Sequence, residues 1–272
     1  MALKSRYWAD LTTRDFAALD AETTVAVLPV AAIEQHGPHL PVSVDQTLAD
    51  GIVGACLPLL PADLPVLILP TQGIGLSPEH ERFAGTLTLK PETLIALWTE
   101  IGQCVAKSGA RKLLLFNSHG GQVGALDIVA RSLRASSNLI VYSTSWFNLP
   151  IDPELDATFS ADEQRFGVHG GEIETSMMLA LAPEFVDMQA AQDFDSTSRQ
   201  RAANFSILGN GKSAKFGWQM QDYNPLGAAG NAAAASADKG RRVIDAAGRQ
   251  LALLLAEISR LPLAMLVDRP ER

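Results

Sequence analysis

Only two cysteines occur in 272 residues, Cys56 and Cys104, and neither stands in a C-x-x-C or Cys/His spacing. That leaves no ligand set for a zinc knuckle and no disulfide framework; both thiols are expected to be buried in apolar helices. Positive charge is also scarce. The 22 Lys and Arg face 30 Asp and Glu, a net charge of −8 and the wrong sign for a nucleic-acid footprint. The densest basic stretch, Lys239, Arg241 and Arg242, falls in a helical pattern and reads as a solvated helix face. No apolar run approaches the ~18 residues that span a bilayer, and the start, MALKSRYWAD, has no apolar signal core. The expectation is therefore a cytoplasmic protein with neither membrane nor nucleic acid as partner.

With 47% hydrophobic and 19% charged residues, the chain can close a sizeable core. Short apolar runs flanked by turn residues predict strands at Thr24–Val30, Pro65–Leu69, Lys112–Asn117 and Leu139–Ser143; with little alternation, they suit a sheet covered on both faces. Amphipathic stretches predict helices at Asp45–Leu60, Pro91–Ser108, Val123–Ala135 and Glu172–Leu181. This alternation predicts an α/β fold with a mainly parallel sheet and helices on both sides. From Asp187 to Gly230 the periodicity fades, as expected of loops or a small subunit contact, and a last helix is predicted over Asn231–Arg260. No internal repeat and no clean linker divides the chain, so residues 1–272 are read as one domain.

Five histidines are present, and four of them lie within a few residues of a carboxylate or a glycine-rich turn. Glu34-Gln35-His36-Gly37-Pro38-His39 follows the first strand, where ligands of open α/β sheets gather, and Asp45 opens the next helix. Glu34 and His36 can project to one side of an extended segment, while Asp45 can bridge two cations. A surface role for Glu34 and an N-cap role for Asp45 are the alternatives. Asn117-Ser118-His119-Gly120-Gly121-Gln122 ends the Leu-rich strand, and its paired glycines allow close backbone approach to a ligand. A third cluster, His169-Gly170-Gly171-Glu172-Ile173-Glu174, begins a helix. Glu174 lies about 200 degrees around that helix from Glu172, so only one of them should face the site, and Glu172, abutting the glycines, is the expected ligand.

Nitrogen and oxygen ligands together suit Zn²⁺, Mn²⁺ or Fe²⁺. Glu34, Asp45 and Glu172 supply three negative charges; with two dications and one bridging hydroxide the site is neutral, as in two-metal hydrolases. Gly209-Asn210-Gly211-Lys212-Ser213 is no P-loop, because Ser206 stands where that motif needs glycine. Ser118 lacks a G-x-S-x-G elbow. The loop from Gly75 through Ser77, Glu79 and His80 to Thr86 is a natural carrier of substrate-binding groups.

Glu34-Gln35-His36-Gly37-Pro38-His39-Leu40-Pro41 with Asp45, Glu79-His80 ahead of Gly85-Thr86, Asn117-Ser118-His119-Gly120-Gly121 and His169-Gly170-Gly171-Glu172-Ile173-Glu174-Thr175-Ser176 together resemble the creatininase (creatinine amidohydrolase) family. The resemblance implies a three-layer α/β/α sandwich, two divalent ions per subunit, and hydrolysis of a non-peptide C–N bond in a cyclic amide or formamide by a metal-bridging hydroxide. It implies Glu34, His36, Asp45 and His119 as ligands, with Asp45 bridging, His169 as proton shuttle or substrate contact near the metals, and assembly into homo-hexamers. Creatininases carry a Tyr-Glu pair after the histidine matching His119, where this chain has Gly120 and Gly121; Glu172 is expected to replace that glutamate. Candidate substrate contacts are His39, Ser77, His80, Gly120 and Arg165, the last suiting an anionic group. Arg165 and Phe166 occupy the region where creatininases place a tryptophan, which argues against creatinine as substrate. The alternatives are creatinine hydrolysis proper and a metal or small-molecule binding protein without catalysis.

Overall fold

The computed structural model describes residues 3–151, 155 and 157–270. Four strands, β1 (Val25–Val30), β2 (Val66–Ile68), β3 (Lys112–Asn117) and β4 (Ile140–Ser145), form a sheet in the order β2-β1-β3-β4. All pairings are parallel, with Val25 opposite both Val66 and Lys112, and Lys112 opposite Ile140. The α-helices with bounds among the described residues are α1 (Thr13–Ala17), α2 (Val44–Cys56), α3 (Pro91–Lys107), α4 (Val123–Ser137), α5 (Ala161–Phe166), α6 (Glu172–Leu181), α7 (Thr197–Asn204), α8 (Met220–Tyr223) and α9 (Ala237–Arg260).

Alternation along the central strands divides the core in two. Val25, Val27, Leu114 and Phe116 pack with residues of α2, α6 and α9, among them Leu48, Ile52, Met177, Met178 and Leu251. Ala26, Leu28, Leu113 and Leu115 face α3 and α4 through Leu94, Trp98, Leu126, Val129 and Leu133. Each such side chain contributes roughly 1.5–3 kcal/mol by leaving water, so the three-layer α/β/α arrangement predicted from the sequence is what lets every residue of β1 and β3 be buried. The strand β4 is an edge, and Tyr142 on it is exposed. Lys112 is fully buried nonetheless. Its ammonium donates to the carbonyls of Glu22 and Ser259, so the charge is satisfied by backbone oxygens.

Three expectations differ. Cys104 is exposed, whereas Cys56 is buried with its thiol pushed up to about 12, chiefly by desolvation. The last helix begins at Ala237, because Gly230–Asn231 forms a short strand, β6, against β5 (Asp193–Phe194), and Ala232–Ala234 makes a 3-10 turn before Ser236 caps the helix at Lys239 N. Lys239 is not a purely solvated residue, since it pairs with Glu172. No helix among the described residues is long and apolar enough to cross a membrane.

Candidate metal centre and hydrolytic site

The site lies where the parallel strands end. Beyond β1, Glu34 is held by its N–H to Val42 O at 2.9 Å. Gly37, at φ +75°, reverses the chain, so His36 and His39 part company. Beyond β3, Asn117 clamps the turn: its Oδ1 accepts from His119 N at 3.1 Å and Gln122 Nε2 at 2.8 Å, and its Nδ2 donates to His119 O at 2.6 Å and Ser145 Oγ at 2.9 Å. Asp45 projects from the first turn of α2. His169 is tied to Ala229 by a two-residue bridge, which seats the segment leading into α6.

These elements bring Glu34, His36, Asp45, His119 and His169 together, all buried. Each imidazole has its proton placed by a backbone carbonyl. His36 Nδ1 donates to Glu34 O at 3.0 Å, leaving Nε2 free at 3.9 Å from Glu34 Oε1 and 3.8 Å from Asp45 Oδ1. His119 Nε2 donates to Leu76 O at 3.0 Å, leaving Nδ1 at 3.2 Å from Glu34 Oε1 and 3.5 Å from Asp45 Oδ2. His169 Nε2 donates to Gln35 O at 2.7 Å, and its Nδ1 stands 3.8 Å from Glu34 Oε1. Carbonyl partners of this kind fix the tautomer and aim the other nitrogen as a ligand or base.

Glu34 Oε2, His36 Nε2 and Asp45 Oδ2 are buried and have no hydrogen-bond partner. Polar atoms in that state are costly unless something is bound between them. Four groups have their donor atoms within 4.8 Å of one another: Glu34, Asp45 and His119; His36, Asp45 and Glu174; Glu34, His36 and His169; and Glu34, Glu79 and His80; the first two are a pair that shares one carboxylate. Asp45 belongs to both, as a bridging carboxylate must. The donor set, two imidazoles with three carboxylates, suits Zn²⁺, Mn²⁺ or Fe²⁺.

Electrostatics carry the same signature. Burial alone would raise the Glu34 carboxyl, but His119, then His80 and His169, hold it well below the ordinary carboxylate range. Asp45 is pushed well above that range by burial and by the charge of Glu34. Burial would lower His119, yet Glu34, with Glu79 and Asp45 behind it, holds the imidazole well above its usual value. His36, His169 and His80 form a stack with centroids 4.1 and 4.2 Å apart. Burial first pushes them down to about 4, 4 and 2, with His36 further lowering His169 and His169 further lowering His80, so all three are neutral at pH 7.

The structure corrects the choice between the two helical glutamates. Glu172 points to α9, where it meets Lys239, and its own N–H donates to Glu163 Oε1 at 2.7 Å. Glu172 and Ser176 share the helix face that packs on α9; a Cβ on Gly240 would lie 1.9 Å from Ser176 O, so the backbones touch there. That contact fixes the rotation of α6 and turns Glu174 into the cleft, where Gly170 N donates to its Oε2 at 2.6 Å.

The candidate substrate contacts divide. His80 and Gly120 line the cleft above the cluster, a cavity of about 750 Å³. Ser77 instead sits behind His119, its Oγ 3.3 Å from Nε2. His39 is buried away from the cleft, bonded to Thr175 Oγ1 at 2.9 Å and stacked on Phe194. Arg165 is exposed, lies over Phe166 and donates to Gly209 O, outside the cleft. The residue four places beyond Gly170 and the aromatics Phe147, Phe216 and Trp218, which wall the cleft, are what sequence reasoning missed.

The family model for creatinine amidohydrolase matches residues 9–255. The chain belongs to the creatininase family. It is 32% identical over 226 residues to the mycofactocin precursor peptide peptidase of Mycobacterium tuberculosis, spanning 81% of this chain and 80% of that protein. It is 30% identical over 204 residues to the creatinine amidohydrolase of Pseudomonas putida, spanning 70% and 77%. Among solved structures, a manganese creatininase superposes with a TM-score of 0.72 at 25% identity, covering 93% of this chain and 98% of the other. As a creatininase-family member the protein is a hydrolase acting on C–N bonds. Restriction to non-peptide bonds, expected from the sequence, is not supported, since one relative is named as a peptide peptidase.

Proposed function

We propose that this creatininase-family chain is a two-metal amidohydrolase that cleaves an amide-type C–N bond of a small substrate, a cyclic amide or a formamide, in the cleft over Glu34, Asp45 and His119. The observation that supports the reading is that Glu34, His36 and Asp45 each bury a side-chain atom without a hydrogen-bond partner, in donor groups that lie within 4.8 Å and share Asp45. Glu34, Asp45 and His119 would hold one ion, and His36, Asp45 and Glu174 the other. When bound, two such dications polarise a carbonyl and lower the pKa of water.

The remaining work falls to the chain. His169, neutral at rest, accepts a proton from water at Nδ1, the nitrogen not committed to Gln35 O, and passes it to the departing nitrogen. A positioned group of this kind is worth ~10² to 10⁴ in rate. Gln35 supports both histidines beside it. Its Oε1 accepts from Gly37 N at 2.9 Å, which orients Nε2 to donate to His80 Nδ1 at 2.7 Å and sends the His80 Nε2 proton toward Glu34.

Elemental analysis of Asp45→Ala, with turnover of His169→Ala, tests the reading. Asp45→Ala should lose both ions. His169→Ala should keep them and lose turnover on whichever of creatinine, formamidopyrimidines, cyclic ureides or short peptides the wild type cleaves, with Zn²⁺, Mn²⁺ and Fe²⁺ each resupplied. Two ions retained by Asp45→Ala, or full activity in His169→Ala, contradicts it. Assembly into homo-oligomers, with Phe205, Ile207 and Leu208 exposed on the 187–230 excursion, belongs to the same proposal; a solution mass equal to one chain rejects that part.

A further inference from the structure

Glu79 is left over once the ligands and the proton shuttle are assigned. It follows Pro78 in a 3-10 turn, is 8% exposed, and lines the cleft. Its Oε1 is buried without a hydrogen-bond partner. His119 Nε2 lies 3.3 Å away as an ion-pair contact, while its proton is directed at Leu76 O, 3.0 Å away. A carboxylate oxygen withdrawn from water is costly to leave without an aligned donor, so a donor from outside the chain has a place beside it.

Gly121 makes room for this carboxylate. A Cβ at Gly121 would lie 1.8 Å from Glu79 Oε1 and 2.5 Å from His119 Nε2, so no other residue at 121 leaves Glu79 where it is. Over the turn stands an aromatic wall. The Trp218 ring is perpendicular to His80 at 5.9 Å and to Tyr223 at 5.0 Å, and the next residue, Gln219, donates from Nε2 to Pro78 O at 3.1 Å. Trp218 and Glu79 are thereby fixed to one another. Among the described residues lining the cleft there is no Lys or Arg, while Glu34, Asp45, Glu79 and Glu174 all reach it.

A third metal ion is the competing explanation, since Glu79, Glu34 and His80 also have donor atoms within 4.8 Å. His80 weakens it: Nδ1 accepts from Gln35, so Nε2 carries the hydrogen and has no lone pair to give.

We propose that Glu79 is the specificity-determining residue of the cleft, taking N–H donors from the edge of a planar substrate group packed against Trp218 and rejecting a carboxylate at that position. The inference rests on the cleft being the substrate site of the proposed hydrolase. It favours a neutral or cationic amino- or amidino-substituted ring over a peptide presenting its C-terminal carboxylate there.

Benzamidinium, benzamide and benzoate share a shape and differ in charge, so their calorimetric binding to the metal-loaded full chain is the test. Glu79→Gln should weaken benzamidinium about 10- to 100-fold, the range of a lost charge-assisted pair, and leave benzoate unchanged or tighter. Trp218→Leu should weaken benzamidinium and benzamide alike. Metal content and unfolding temperature of Glu79→Gln should match the wild type. Equal benzamidinium affinity in wild type and Glu79→Gln, no benzamidinium binding by the wild type in the millimolar range, or loss of an ion from Glu79→Gln each overturns the assignment. The two readings fail separately. A wild type that binds no metal but shows Glu79-dependent benzamidinium binding loses the hydrolase mechanism and keeps the subsite; a two-ion, active wild type indifferent to Glu79→Gln loses only the subsite.

Discussion

Exchanging the two glutamates of α6 one at a time separates ligand from scaffold. Glu174→Gln removes one of three protein donors from the group it forms with His36 and Asp45, while Glu172→Gln breaks the contact with Lys239 and touches no ligand group. Four-ligand structural zinc sites are worth about 10–16 kcal/mol, or roughly 3–4 kcal/mol per ligand, so losing Glu174 should weaken one ion ~10²- to 10³-fold. After dialysis against a weak chelator, Glu174→Gln should retain about one ion per chain and the wild type two. Glu172→Gln should also retain two. Its partly exposed ion pair predicts a loss of at most about 1 kcal/mol, or roughly 2–4 °C in unfolding temperature. Inductively coupled plasma mass spectrometry on both variants, with melting curves taken with and without the chelator, reads the two effects separately. The reasoning is refuted if Glu172→Gln loses an ion that Glu174→Gln keeps.

Ion uptake should also release protons. Asp45 and His119 are held above their ordinary values without metal, so the ions must displace protons from them, and apparent affinity should rise with pH across the neutral range. Calorimetry in buffers of different ionisation enthalpy measures the count; a buffer-independent heat contradicts it. His39, pushed down to about 4 by burial, adds a pH dependence of the same sign in stability, on the acid side. Its folded value is depressed, so its stabilisation is present above about pH 6.5 and lost as pH falls toward 4. His39→Gln should flatten that part of the melting profile, and an unaltered slope counts against it. Lys112→Met strands the carbonyls of Glu22 and Ser259 and should lower the unfolding temperature by roughly 5–10 °C, with metal content unchanged. A melt within one degree of wild type would mean those carbonyls find water.

The strands and the three histidine clusters were legible because each rests on local rules. Unbroken apolar runs give buried parallel strands, and Pro91 and Gly109 bracket α3 from its own sequence. His36 and His119 follow strand ends, so placing the strands placed them too. The helix α6 marks the limit. Its sequence shows that Glu172 and Glu174 cannot both face the site, but which one does depends on rotation about the helix axis. That rotation is set by the backbone contact of Ser176 with Gly240, residues 64 positions apart. A glycine inside a helical pattern signals close packing, yet nothing local to Gly240 names its partner. Cys104 and Arg165 fail similarly, since exposure is decided by what packs nearby.

The same long-range logic explains how a pair of glycines after His119 can coexist with the two proposed ion sites. In the pattern this chain departs from, the second ion's carboxylate stands two residues after the histidine. Here that position is Gly121, and the space a side chain would need is filled by Glu79 from another loop. The carboxylate that joins His36 and Asp45 comes from Glu174, braced by Gly170 N. Placing glutamate at 121 alone should therefore not yield a fourth carboxylate ligand. Its Cβ would collide with Glu79 Oε1 and His119 Nε2, so Gly121→Glu should lose ions, whereas Gly121→Glu combined with Glu79→Ala clears the Glu79 clash and should regain part of the metal content. A Gly121→Glu protein that binds two ions as tightly as wild type, with Glu79 untouched, would show that the cleft can open around residue 121 and that Glu79 does not need the glycine.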